Sequence, residues 1–243
     1  MNGLKNERIN GIFFVFCTLC IFFCWDWWTH RLYPVTGDVL ADMRICLGGF
    51  QQIDMKFFVW IMLHIPVQTM LVLKLSDFFG GFSVLCYFRD GRLLSVFQKY
   101  YRVNGCLPFF YYFTGFTCVF LRRIWMDHVE ASLTEIFRFI LYITCLSAVT
   151  ALIFTCIAWI LYMLSGNYQT GYLAALMLEL VSVLLISRMP QAWYLPLTGT
   201  VLEGVAVTKE PVYAVLILVK LAVVMGLSYG ICKCRFHELI GME

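Results

Sequence analysis

Six long apolar runs occupy most of this 243-residue chain, and no polar stretch between them is long enough to form a water-soluble domain. Hydrophobic residues make up 61% of the sequence and charged residues only 14%, with a mean hydropathy of +0.80. A water-soluble globule cannot bury that much apolar surface, so the solvent around the chain is lipid. Function then has to be read from the residues that interrupt the runs.

A bilayer core about 30 Å thick is crossed by roughly 20 apolar residues in a helix. The lengths of the runs and the polar clusters that close them predict spans over 12–28, 57–79, 103–121, 136–164, 172–186 and 212–232. The expected fold class is therefore all-α: a polytopic membrane protein with six transmembrane helices in one domain, 1–243. The fourth run is longer than a bilayer needs, which implies tilt or an interfacial start. Ser132 and Glu135 form a capping-box pattern just before it.

Lys5 and Arg8 precede the first run as they would in a signal peptide, but no small-residue cleavage site follows. The run ends in Trp25, Asp26, Trp27 and Trp28, an aromatic anchor at the far interface with Asp26 also interfacial. Six crossings put both termini on one side. Basic residues are spread almost evenly between the two faces, and the short, dense loops on the terminal side lean toward cytoplasmic termini in the plasma membrane. The formal net charge of +3 gives no reason to expect nucleic acid as a partner.

Eleven cysteines raise the question of metal or redox chemistry. Cys17, Cys20 and Cys24 share a helical face among Phe and Ile, where a thiol serves as a small apolar side chain, and core packing is expected of them. Cys232 and Cys234 lack the further ligands that a metal needs, and Cys46 is alone in an outer loop, so no metal site or disulfide framework is read. The histidines, His30, His64, His128 and His237, are too scattered for a haem or zinc site. No glycine-rich loop followed by Lys and Ser or Thr occurs. The chain has no nucleotide site or cofactor of its own to be read, and an enzyme is not expected.

Between the second and third runs lies a short amphipathic segment, 89–102. Leu93, Leu94, Val96, Phe97, Tyr100 and Tyr101 form an apolar stripe, and Arg92, Ser95, Gln98, Lys99 and Arg102 cover the rest. Two readings fit: a surface helix that binds a partner, or an interfacial turn that anchors two spans.

With Arg89, Gly91, Arg92, Phe97 and Lys99 in this order, the chain resembles the integral-membrane subunits of ABC-2-type exporters, in particular small Gram-positive permeases of bacteriocin and antimicrobial-peptide export or immunity. A serine and a tryptophan pair that often accompany this pattern are absent. The stretch from Met189 through Pro190, Trp193 and Pro196, followed by the half-apolar 197–207, is similar to the outer segment before the last span of such permeases, where the chain dips back into the membrane. The resemblance implies a coupling helix at 92–101, with Arg89, Arg92, Phe97, Lys99 and Tyr100 docking on a separate ABC ATP-binding subunit. ATP and Mg would be bound in that partner, and the permease would work as a homodimer or heterodimer.

Charges inside the runs are the other candidates for function, because a charge in lipid is costly and faces an interior. At 1.5 Å per residue, Glu179 lies about 10 Å and Lys220 about 18 Å from the terminal side, within reach of long side chains. A buried ion pair that fixes helix register is preferred over a contact to substrate. Lys74 and Asp77, one turn apart, read as a snorkelling pair. Gly226 and Gly230 form a small-xxx-small pattern for helix packing. His64 is expected to bond a neighbour, and Pro66 to release a carbonyl.

The expected function is the permease half of an ABC exporter that moves an amphipathic or peptide-like substrate across the bilayer, such as an antimicrobial peptide, a lipid-like molecule or a drug. The alternative is a membrane scaffold or signalling protein that recruits a cytoplasmic partner through the same amphipathic helix.

Overall fold

The computed structural model describes residues 2–32, 38–47, 55–77, 93–127, 132–199 and 210–239. Among them there is no strand. The helices are α1 (Asn2–Leu32), α2 (Val39–Cys46), α3 (Met55–Asp77), α4 (Leu93–Asn104), α5 (Cys106–Asp127), α6 (Leu133–Ser165), α7 (Tyr168–Arg188) and α8 (Glu210–Leu239), with a 3-10 helix at Pro190–Tyr194. Helices are the outcome expected where the surroundings cannot bond backbone N–H and C=O groups, which must then pair within the segment.

Five of these helices, α1, α3, α6, α7 and α8, are long and apolar enough to cross a membrane. The third expected span, 103–121, is different. It is split at Gly105 into the end of α4 and the start of α5, and α5 is not among the five. Its polar residues explain this, since α5 carries Tyr111, Tyr112, Thr114 and Thr117 and runs on into Arg122 and Arg123. Pro108 lies in the first turn of α5, where a missing N–H costs nothing.

α6 is the axis of the molecule and packs against α3, α5, α7 and α8. Its buried face includes Ser147, Ala148, Thr150, Ala151, Thr155 and Ala158, small residues that let neighbouring helices come close. Thr150 and Thr155 return their hydroxyls to Leu146 O and Ala151 O, each at 2.8 Å, so neither group is left bare in an apolar interior. α6 ends at Gly166, whose φ of +69° is the left-handed conformation that glycine adopts freely. Asn167 then caps α7 by accepting from Gln169 N and Thr170 N. With the chain turned so tightly, Gly171 lies against the α6 backbone, and a Cβ there would be 2.6 Å from Tyr162 N.

The helices define two ends. At one end the last turns of α3, α6 and α8 meet α4, as Leu75, Trp159, Met163, Cys232 and Tyr100 pack together. At the other, the ends of α1 and α5 meet α2, and the first turns of α6 and α8 lie near one another, with Tyr142 donating to Glu210 O at 3.3 Å. Large apolar side chains such as Phe13, Phe16, Leu173, Met177, Val215, Val219 and Val223 point away from the bundle, as suits contact with lipid.

Several local expectations are corrected. Ser132 is the N-cap of α6, but its side chain makes no cap hydrogen bond, so the capping-box pattern is not used. Cys20 and Cys24 are exposed and Cys17 is only half-buried, whereas Phe22 and Trp25 fill the interior from α1. The three thiols thus share a helical face, but it is the outward one. Cys46 is buried, at the end of α2. A Cβ at Gly226 or Gly230 would meet nothing within 4 Å, so none of the described helices packs on that pattern.

Candidate functional site

Two features stand out in the bundle: a polar cluster in its interior and the seat of α4 at one end. The cluster begins on α3, where His64 and Gln68 are four residues apart and so project from one face of the helix. Both are buried, at 1% and 0% exposure, although they lie in an apolar run. Opposite them, α5 supplies Tyr112, whose hydroxyl shares a hydrogen bond with His64 Nδ1 at 2.7 Å. α7 supplies Glu179, which accepts from Gln68 Nε2 at 2.7 Å. The Trp60 ring lies 4.7 Å from His64 and closes the cluster on that side.

Polar groups buried in apolar surroundings are held by hydrogen bonds or they destabilise the fold. Here the accounts are incomplete: among the described residues, His64 Nε2 and Gln68 Oε1 have no hydrogen-bond partner. An interior that holds a carboxyl, an amide, an imidazole and a phenol together, with two polar atoms unpaired among the described residues, can accept a polar group from a bound molecule or exchange partners as helices shift.

Glu179 and Lys220 do not form the ion pair expected from their depths. Lys220 Nζ turns to the end of the 3-10 helix and the segment that follows it, donating to Trp193 O at 2.5 Å, Leu195 O at 2.6 Å and Thr198 Oγ1 at 3.3 Å. The reason is backbone chemistry. The last carbonyls of a helix and those of the chain beyond it have no intrahelical donor, and an ammonium with three N–H groups satisfies several at once. Leu197, Thr198 and Gly199 are buried, and the Tyr213 hydroxyl donates to Thr198 O at 3.0 Å. A Cβ on Gly199 would be 2.1 Å from Thr150 Oγ1, so this segment lies directly against the middle of α6. Residues 200–207 of the expected inward segment lie outside the described residues.

At the α4 seat the structure divides the expected coupling residues. Arg89 and Arg92 lie outside the described residues, as does the side chain of Phe97. Lys99 is exposed, alongside Gln98 and Arg102. Tyr100 was expected to contact a partner, but it is fully buried and its hydroxyl donates to Leu71 O of α3 at 2.9 Å. Tyr101 shares a 2.6 Å hydrogen bond with Cys156 Sγ of α6. Tyr100 and Tyr101 therefore clamp the second half of α4 to the bundle. Lys74 and Asp77, nearby at the end of α3, are both exposed and form no ion pair with each other.

At the opposite end, Asp26 is buried within the bundle. Arg123 Nε donates to Asp26 Oδ1 at 2.6 Å, and Arg122 holds the other carboxylate oxygen. Arg123 also reaches Thr29 Oγ1 at 3.4 Å. This knot ties α1 to α5, and Cys46 of α2 lies beside it. Burial pushes the Cys46 thiol up to about 11, against the opposing pull of Arg123.

The residues that sequence reasoning did not bring together are Gln68, Tyr112 and the Asp26 knot. His64 and Gln68 at helical spacing in an apolar run were the available signal for the first. For the last, it was opposite charges closing the first and third runs on the same side. Among the described residues, no three His, Cys, Asp or Glu side chains gather as they would to hold a metal ion. Comparison with protein-family models, with curated proteins and with solved structures finds no match.

Proposed function

We propose that this chain is the membrane-spanning permease subunit of an ABC exporter, crossing the bilayer six times with α5 as the third crossing. Both termini and α4 face the cytoplasm, and 197–199, the described part of the outer segment, dip back into the membrane before the last span. The chain moves an amphipathic or peptide-like substrate outward by ATP-driven alternating access. A separate ATP-binding subunit supplies the motor with its ATP and Mg, and permeases work in pairs, as homodimer or heterodimer.

One observation carries this reading: α4 is bonded to two spanning helices by successive tyrosines while Gln98, Lys99 and Arg102 face away from the bundle. A force applied to the outer side of α4 reaches α3 through Tyr100 and α6 through Tyr101. α6 in turn packs on α3, α5, α7 and α8, so the load is shared across the bundle. Such a linkage suits a coupling helix, in which a rigid push on one end is converted into a relative movement of the spans. The interior cluster of His64, Gln68, Tyr112 and Glu179 gives those moving helices a polar contact that can reform.

The test is co-purification from mild detergent of the tagged chain with an ABC ATP-binding subunit from its native membranes. Lys99→Glu and Phe97→Ala should each lower the amount of motor recovered while the chain still inserts and folds. Recovery of a kinase or other non-ATPase protein on α4, with no ABC subunit bound, would favour the scaffold reading instead.

A further inference from the structure

At the end of the bundle that carries the Asp26 knot, α2, α6 and α8 enclose a pocket of about 740 Å³. Its wall combines two guanidiniums, Arg44 and Arg138, with the carboxylates of Asp38, Glu135 and Glu210 and the rings of Phe139 and Tyr142, and Asp38 Oδ1 is engaged by Leu40 N and Ala41 N at the start of α2. The charges are not consumed by one another. Arg44 and Glu210 approach only to 3.8 Å, with their side chains 60% and 45% exposed, and Glu135 and Arg138 form no ion pair although they are one turn apart. An exposed pair at such a distance contributes little and opens easily.

Leu141 and Cys145 continue the pocket along α6, one and two turns beyond Arg138, on a face that is exposed. The polar part thus lies at the end of the helix, and the apolar part runs down the length that crosses the bilayer. A ligand that fits must carry an anion, a cation and an aliphatic chain in that order of depth.

We propose that this pocket binds a single phospholipid with a zwitterionic, primary-ammonium headgroup. Arg44 and Arg138 take the phosphate, for which the planar guanidinium fork is well matched. Glu135 and Glu210 take the ammonium, whose N–H groups need acceptors and which a quaternary ammonium could not supply. Phe139 lies under the Arg44 guanidinium at 5.7 Å and holds it over the site, while an acyl chain follows Leu141 and Cys145. The site stands apart from the transport reading, since it needs no motor and no substrate.

The purified chain, washed free of loosely held lipid, is incubated with mixed micelles of phosphatidylethanolamine, phosphatidylcholine and phosphatidylglycerol, and retained lipid is read by native mass spectrometry. Phosphatidylethanolamine should be retained in preference. Arg138→Gln and Glu135→Gln should each reduce its retention about tenfold, the loss of one charge-assisted bond. Ala214→Trp, which fills the space and leaves the charges, should abolish it, and Lys74→Gln at the opposite end should change nothing. Equal retention of the three lipids, preference for phosphatidylglycerol, or retention unaltered in the pocket variants of unchanged melting temperature would overturn the proposal.

Discussion

Gln68 Nε2 donates to Glu179 Oε1 at 2.7 Å, joining α3 to α7 through two fully buried side chains in an interior that is otherwise mostly apolar. Removing one partner leaves the other unsatisfied, which costs about 1–3 kcal/mol, whereas removing both can be nearly neutral. Glu179→Ala should therefore lower the stability of the purified protein by that amount, and Gln68→Leu with Glu179→Leu should restore most of it. Thermal unfolding in detergent measures both, and a double variant as unstable as the single one would contradict this account of the pair.

Asp26 is the centre of the knot at the other end, and the side chains of Asp26 and Arg123 are 4% and 7% exposed. Deleting one member of a buried pair strands the other charge, at about 3–5 kcal/mol. Asp26→Ala is expected to destabilise the chain strongly. Arg122→Gln, at a side chain 31% exposed, should cost well under half as much. Expression level and melting temperature of the two variants rank them.

Two glycines in helices should respond in opposite ways. At Gly171 a side chain would run into the backbone of α6, with Tyr162 N at 2.6 Å and Ala158 O at 2.9 Å, so Gly171→Leu must push α6 and α7 apart at a cost of about 1–3 kcal/mol. At Gly226 nothing lies within 4 Å, and Gly226→Leu should leave the fold of the single chain unchanged. If the permeases pair through that face of α8, the same variant will weaken the dimer, which size-exclusion chromatography with light scattering detects.

Thiol reactivity gives a further check on the interior near the knot. A thiol held at about 11 is protonated at neutral pH, and Cys46 is also buried, so it should resist a maleimide in the folded protein. Cys106 and Cys234 are exposed and should label first. Labelling followed by peptide mapping reports the order, and rapid labelling of Cys46 in the native state would show that α2 does not pack as described.

The helices were legible in the sequence because lipid leaves an apolar run few alternatives, and the runs at 57–79, 136–164, 172–186 and 212–232 match α3, α6, α7 and α8 to within a few residues, α8 excepted at its longer C-terminal end. What lies between spans was less legible. A linear pattern gives the depth of Glu179 and Lys220 but not their azimuth around the bundle, and the azimuth sends one to Gln68 and the other to the carbonyls of Trp193 and Leu195. The apolar stripe of α4 was visible, yet the same stripe serves a partner or the bundle equally well. The buried Tyr100 shows that at least its part of the stripe belongs to the bundle. Depth in a membrane is written in composition; pairing depends on tertiary packing.

In the proposed exporter, α4 transmits the work of an ATPase to the spans through Tyr100 and Tyr101. The most direct measurement is ATP-driven transport of an amphipathic peptide in proteoliposomes containing the chain and its ATP-binding subunit, with ATP hydrolysis recorded in parallel. Tyr100→Phe combined with Tyr101→Phe should retain motor binding and hydrolysis while transport per ATP falls several-fold. Undiminished transport per ATP in that variant, or the absence of ATP-driven transport by the wild-type pair, would contradict the account.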